Sequence, residues 1–165
     1  MDLEIRREDA ESADARALFA ELDELLNSLY AVDGIVLELV PGDVAEEQGV
    51  LFVARDDSGR ALGCGAIRQI DPTTGELKRM YVRSVARRLG VGQALLDALE
   101  HWAAQAGLER IVLETGIHQP AALAFYERAG YSRIDRYGEY PCAEQSVCYG
   151  KTAVRFLNPG QFIPE

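Results

Sequence analysis

The stretch ARRLGVGQALLDAL, Ala86 to Leu99, sets two arginines before a glycine pair, Gly90 and Gly92, and then opens an amphipathic helix. The periodicity predicts that helix from about Gly90 to Ala106, with Val91, Leu95, Leu99 and Trp102 on one face and Gly107 as its stop. A helix N-terminus leaves backbone N–H groups unpaired and carries about half a positive charge, so it attracts anions. Glycine lets the backbone approach such an anion with no Cβ in the way. Arg87 and Arg88 add the means for charge-assisted hydrogen bonds. The pattern is not a P-loop, because no Gly-Lys-Ser/Thr follows, and it lacks the GxGxxG of a dinucleotide site. Two readings stay open here: a cradle for a diphosphate, or two glycines that only permit a tight turn and close packing.

Working outward, GELKRMYV from Gly75 to Val82 reads as a strand feeding that loop. Before it, VLFVARDDSGRALGCGAIRQI reads as a hairpin, with strands Val50–Ala54 and Ala61–Ile70 around a turn at Asp56–Gly59. Ser12 to Tyr30 carries a helical stripe of Ala15, Leu18, Phe19, Leu22, Leu25, Leu26 and Leu29, and Met1–Arg7 alternates as a short strand. GDVAEE, after Pro41, reads as one short helix. Downstream, RIVLETG is a buried strand, PAALAFYERAG a helix opened by Pro120 and closed by Gly130, and YSRIDRYG and SVCYGKTAV are final strands. The order of elements is that of an α/β fold, expected as one domain over residues 1–165.

The net charge is −10, unevenly spread: residues 1–60 carry 16 acids against 5 bases, and residues 61–165 carry 11 against 12. Lys78, Arg79, Arg83, Arg87 and Arg88 form a run with no acid among them. Overall acidity argues against nucleic acid as a partner, which needs a broad basic face. A local basic cluster suits a compact anion. Cys64, Cys142 and Cys148 form no CxxC pair and have no histidine at ligand spacing, so no metal is expected. The odd count and the charged N-terminus, neither signal nor transit peptide, point to reduced thiols in the cytoplasm. No apolar run approaches membrane-spanning length, so no membrane partner is expected either.

Arg87-Arg88-Leu89-Gly90-Val91-Gly92 resembles the (Gln/Arg)-x-x-Gly-x-(Gly/Ala) signature of the GNAT family, the acyl-CoA-dependent N-acyltransferases. LETGIHQPAALAFYERAGY resembles the second landmark of that family, a strand followed by a helix carrying Ala-x-x-x-Tyr-x-x-x-Gly-(Phe/Tyr). The resemblance is dense from Val50 to Val154 and thin before it. It implies a mixed central sheet of six to seven strands with flanking helices, its two central strands, Gly75–Val82 and Arg110–Thr115, splayed to admit a thioester. It implies acetyl-CoA as co-substrate, with the backbone of Arg88, Leu89, Gly90, Val91, Gly92 and Gln93 on the diphosphate beside the Arg87 and Arg88 side chains. The main chain of Met80, Tyr81 and Val82 would pair with the pantetheine arm.

For the chemistry, the resemblance makes Tyr126 the proton donor to the departing thiolate and Glu76 a general base, each with a structural alternative: a core tyrosine, and an exposed strand-end glutamate. A phenol near pKa 10 is a weaker acid than a thiol near 8.5, so Tyr126 is expected to donate a strong hydrogen bond rather than to lose its proton. Glu114 and His118 face the expected cleft and are candidate acceptor contacts, His118 equally fitting an ordinary loop residue. Gln119 stands where many relatives have a helix-capping Asn that touches pantetheine; glutamine caps less well, though its amide can still reach a ligand. Cys64 fits packing better than nucleophilic attack, which favours direct transfer in a ternary complex. The acceptor is expected to be a primary amine of a small molecule or peptide. The alternatives are another acyl-CoA as donor, a catalytically silent acyl-CoA-binding or sensory domain, and a toxin-like enzyme acting on aminoacyl-tRNA, which the acidity disfavours. The resemblance leaves a homodimer among the assemblies open to the chain. Residues 24–50 and 132–146 should flank the acceptor cleft, with EYPCAEQSVC as a lid or dimer contact.

Overall fold

A computed structural model describes residues 1–29, 44, 48–138 and 143–152. Seven strands form one sheet: β1 (Glu4–Arg7), β2 (Gly49–Arg55), β3 (Ala61–Asp71), β4 (Thr74–Val82), β5 (Arg110–Gly116), β6 (Ser132–Arg133) and β7 (Ser146–Thr152). Among the described residues three α-helices accompany them: α1 (Ala13–Leu29), α2 (Val91–Gln105) and α3 (Pro120–Arg128). The sheet order is β1-β2-β3-β4-β5-β7-β6. Only β4 and β5 run parallel; every other neighbouring pair is antiparallel. The expected mixed sheet, its strand number and its flanking helices are all present. The short helix expected in GDVAEE lies, apart from Val44, outside the described residues, as do Tyr140 and Cys142.

Local chemistry explains most boundaries. The β2–β3 hairpin turns where Asp56 Oδ1 accepts from Ser58 N at 2.9 Å and Arg60 N at 3.0 Å, holding the chain reversal with its own side chain. Ser12 Oγ accepts from Ala15 N at 3.1 Å and starts α1. YSRIDRYG makes a far shorter strand than its alternation suggests. Pairing with β7 covers only Ser132 and Arg133, with one further bond from Ile134 N to Cys148 O. As the outermost strand it is kept short and charged, with Arg133, Asp135 and Arg136 close together, which blunts an exposed edge.

The sheet buries both faces. On one, Ile67, Leu77, Ile111, Leu113, Val147 and Tyr149 pack against Leu96, Leu99 and Ala103 of α2 and Tyr126 of α3. On the other, Leu51, Val53, Cys64 and Ala66 pack against Ala15 and Leu18 of α1. Val91, Leu95 and Leu99 are buried as the stripe predicts, while Trp102 is half-buried. No described helix is long and apolar enough to cross a membrane.

One charged cluster sits inside the first of these cores. Lys151 Nζ donates to Glu100 Oε1 at 2.9 Å, to Glu100 Oε2 at 3.1 Å and to the Ala129 carbonyl at 2.9 Å, while the Tyr131 hydroxyl donates to Glu100 Oε1 at 3.1 Å. It ties α2 to β7 and to the end of α3. Glu100 is only 3% exposed, and burial raises its pKa against the opposing pull of Lys151. Removing one partner of such a pair strands a buried charge, at a cost of about 3–5 kcal/mol. Lys151→Met is therefore expected to lose about that much in urea unfolding at pH 7. Lowering the pH through the raised pKa of Glu100 should shrink the loss, because the stranded carboxylate then protonates. A Glu100→Leu/Lys151→Met double variant should regain most of it.

Candidate functional site

The site is built where the two parallel strands part. β4 and β5 pair only from Thr74–Leu77 to Arg110–Leu113; the described pairing stops there, although both strands continue. The remainder of β4 stays with β3 and the remainder of β5 with β7, so a fork opens between Lys78–Val82 and Glu114–Gly116. This is the splay expected of the central strands.

A bulge shapes the β4 arm of the fork. The β3–β4 register slips between Cys64 and Ala66, opposite Arg79, whose φ of 57° lies in the left-handed region. The slip reverses the alternation. Leu77 packs on the α2 side, and so do Met80 and Val82, three and five residues on, whereas Tyr81 packs on the α1 side. Arg79 likewise turns to α1, where it ion-pairs with Asp23 and lies 5.3 Å over the Phe19 ring. Arg83 forks onto Glu21, with Nη2 to Oε1 at 2.6 Å and Nε to Oε2 at 3.0 Å, and the Tyr81 hydroxyl donates to the same carboxylate at 3.2 Å. The Arg83 guanidinium holds Glu21 below the usual carboxylate range. Two acids of α1 thus fix Arg79 and Tyr81 of β4 and Arg83 just beyond it. Leu77, Met80 and Val82 already carry the signal of the bulge in the sequence, since a spacing of three then two breaks strict alternation.

Past Val82 the chain makes a single 3-10 turn, Ser84–Ala86, and reaches α2. Arg87 Nε donates to the Val82 carbonyl at 3.1 Å, tying the loop to the end of β4. Arg88 at φ 63° and Gly90 at φ 80° both take left-handed conformations. No side chain caps α2, and among the described residues no acceptor meets the N–H groups of Arg88, Leu89, Gly90, Val91, Gly92 or Gln93. Arg87, Arg88, Leu89, Gly90 and Gln93 are exposed, and Gln93 Nε2 donates to Asp97 at 2.8 Å.

The two glycines now separate. Gly90 is required by its φ, which is the turn reading. Close packing does not explain Gly92, because a Cβ there would make only ordinary contacts, 3.7 Å to Phe125 and 3.8 Å to Val82. Free N–H groups, two arginines and a glycine that the protein's own packing does not demand fit a diphosphate.

On the α2 side of the sheet, Tyr126 is 6% exposed and packs edge-on against Phe125 at 5.2 Å and Tyr131 at 5.8 Å. It is a core tyrosine, yet its hydroxyl makes no hydrogen bond among the described residues. Burial raises its pKa well above the ordinary phenol value. On the α1 side, the residues alternating with Leu77 and Leu113 come together: Glu76, Lys78 and Glu114. Glu76 is 2% exposed, pairs across the sheet with Arg68 and Val112 one rung before the β4–β5 pairing ends, accepts from Arg68 Nε at 2.9 Å and stands 3.9 Å from Lys78 Nζ. It is not the exposed strand-end glutamate of the alternative reading. Glu114, the first residue of β5 beyond the last rung, is half-buried. Burial pushes its pKa up and the Glu76 charge adds to this, while the Ser146 hydroxyl and Lys78 oppose it.

Gln119 precedes α3 without capping it by its side chain. Its Oε1 instead accepts from Gly116 N at 3.3 Å, turning back onto β5. His118 is exposed beside it. Burial pushes the Cys64 thiol up to about 12 and raises that of Cys148, so neither supplies a thiolate near neutral pH. Arg68 and Ser146 were not singled out from the sequence, and Lys78 only as part of a basic run; the strand register alone brings them to the two glutamates.

Known proteins share this fold. The model of the "Acetyltransferase (GNAT) family" matches residues 8–131. The chain is 34% identical over 124 residues to an IAA acetyltransferase of Azospirillum brasilense, covering 74% of this chain and 80% of that one. A crystal structure of a candidate acyl-CoA N-acyltransferase from Klebsiella pneumoniae superposes with a TM-score of 0.78 at 33% identity, covering 92% of this chain and 97% of that one. A GNAT family acetyltransferase from Elizabethkingia anophelis with acetyl-CoA bound shares the fold, with a TM-score of 0.64 at 18% identity over 91% of this chain and 97% of that one. The stretch matched by the family model takes in the fork, the helix entrance and Tyr126 together, so the chain belongs to the GNAT family and is an acyl-CoA-dependent N-acyltransferase.

Proposed function

We propose that the protein transfers acetyl from acetyl-CoA to a primary amine of a small molecule or peptide, by direct attack in a ternary complex. The observation that carries this reading is the placement of a phenol and a carboxylate on opposite faces of the sheet that forms the fork. Tyr126 lies with the α2 core and Glu114 on the α1 face. A thioester lying through the fork would present its sulfur to the first and its carbonyl carbon to an amine beside the second. The N–H groups of residues 88–93 and the Arg87 and Arg88 side chains would hold the diphosphate, and the main chain of Met80, Tyr81 and Val82 the pantetheine. Acetyl-CoA supplies the activated acyl group; the protein supplies position and proton handling.

Attack needs a neutral amine, so a base must take the ammonium proton. Of the two carboxylates, Glu114 suits this better. Burial raises its pKa, which suits a base, whereas Glu76 is ion-paired with Arg68. Glu76 then orders the α1 face of the fork. The buried thiols of Cys64 and Cys148 support direct transfer over an acyl-cysteine at either.

Initial velocities with acetyl-CoA and a panel of primary amines test the reading. Intersecting double-reciprocal lines are expected, and parallel lines would refute direct transfer. Glu114→Gln should lower kcat by about 10²- to 10⁴-fold. In the parent, kcat/KM should rise with pH through a value above the usual carboxylate range, as Glu114 ionises. That limb should vanish in the variant; its persistence would remove Glu114 from the role.

A further inference from the structure

The 17 cationic side chains include only two lysines, Lys78 and Lys151. Lys151 is spent on Glu100 within the core. Lys78 is placed differently. It is the first residue of β4 beyond the last rung with β5, as Glu114 is on the facing strand, and alternation from Leu77 and Leu113 puts both on the α1 face. Its side chain is 11% exposed and its Nζ is 3.9 Å from Glu76 Oε1. The protein therefore keeps a primary amine, flanked by two carboxylates, at the opening through which the thioester would reach an acceptor.

We propose that Lys78 is an acetyl acceptor of the protein itself: with acetyl-CoA bound and no amine substrate present, the enzyme acetylates its own Lys78 Nζ. The inference rests on the reading that acetyl-CoA lies in the fork. The Lys78 ammonium gives one proton to the flanking carboxylates and through them to solvent. The freed nitrogen lone pair attacks the thioester carbonyl carbon, the C–N bond forms and the C–S bond breaks. The second proton lost by the nitrogen passes to the leaving sulfur, which ends as the thiol of coenzyme A. The product is an amide, which is no longer an activated acyl group, so each chain is modified once. Acetylation removes the Lys78 charge from between Glu76 and Glu114.

The test incubates the intact protein with acetyl-CoA alone and follows whole-protein mass and peptide maps, with calorimetric binding of acetyl-CoA measured on the same preparation. Expected is the mass of one acetyl group, mapped to Lys78. Its first-order rate should saturate with acetyl-CoA and be unchanged by diluting the protein. Lys78→Arg should bind acetyl-CoA yet stay unmodified, and Gly92→Glu, altered only at the helix entrance, should not acquire the mark. Binding without modification would overturn the inference and leave the cofactor reading standing. So would acetyl groups spread over Lys151 or the N-terminal amine at equal rates in Gly92→Glu. Absence of binding would overturn the cofactor reading, and the self-acetylation with it.

Discussion

Gly92→Glu is expected to fold at least as well as the parent and to lose acetyl-CoA binding by about 10²-fold or more. The two effects have opposite signs and separate causes. Gly92 is the second residue of α2, after the Gly90 cap. Replacing a helical glycine recovers up to about 1 kcal/mol of propensity, and an acid in the first turn adds about 0.3–1 kcal/mol against the helix dipole. The Cβ has room, since Phe125 and Val82 are its nearest neighbours at 3.7 and 3.8 Å. The same carboxylate sits where the diphosphate must approach, and like charges forced together cost several kcal/mol, of which about 2.7 kcal/mol already corresponds to 10²-fold. Urea unfolding and calorimetric titration on one preparation read both effects. A variant that loses stability and binding together would return Gly92 to a packing role.

Tyr126→Phe is the second separation of function from fold. The hydroxyl makes no hydrogen bond among the described residues, so deleting it should leave the melting temperature about unchanged. Its ring contacts with Phe125 and Tyr131 are kept by phenylalanine. If the hydroxyl meets the departing sulfur, kcat should fall by about 10²-fold, the effect of losing one positioned donor, while the KM for acetyl-CoA changes little. Burial raises the phenol pKa, which makes full transfer to sulfur still less favourable than the reference values suggest. The loss should therefore be independent of pH from about 6 to 9, within which the phenol stays protonated. A variant with parental kcat would leave Tyr126 as a core residue alone.

These two residues were legible in the sequence because local pattern fixes them. Gly92 follows a strand and opens a helix, and Tyr126 lies on a helix bounded by Pro120 and Gly130. The hairpin and α2 were legible for the same reason, since each has a period and a punctuating turn or glycine. The family resemblance makes Glu76 the general base and Glu114 an acceptor contact, but the surroundings of the two were not readable in the sequence. Their difference comes from register: β3 brings Arg68 opposite Glu76, and β5 carries Glu114 one step past the last rung. The Glu100–Lys151 pair was hidden similarly, because its members are 51 residues apart and meet only when β7 joins β5. The bulge at Arg79 stood in plain view as a broken alternation. The shortness of β6 was not readable, because alternation does not tell an edge strand from an inner one.

The helix entrance holding the coenzyme A diphosphate is the point on which the proposed chemistry depends. Calorimetric titration of the protein with acetyl-CoA, beside the same titration with S-acetylpantetheine, isolates it, since the second ligand keeps the thioester and lacks the diphosphate. Saturable binding of acetyl-CoA is expected, with S-acetylpantetheine weaker by about 10²-fold or more, as several charge-assisted hydrogen bonds of about 1.5–3 kcal/mol each would be missing. Equal affinity for the two ligands, or no binding of acetyl-CoA at all, would contradict it.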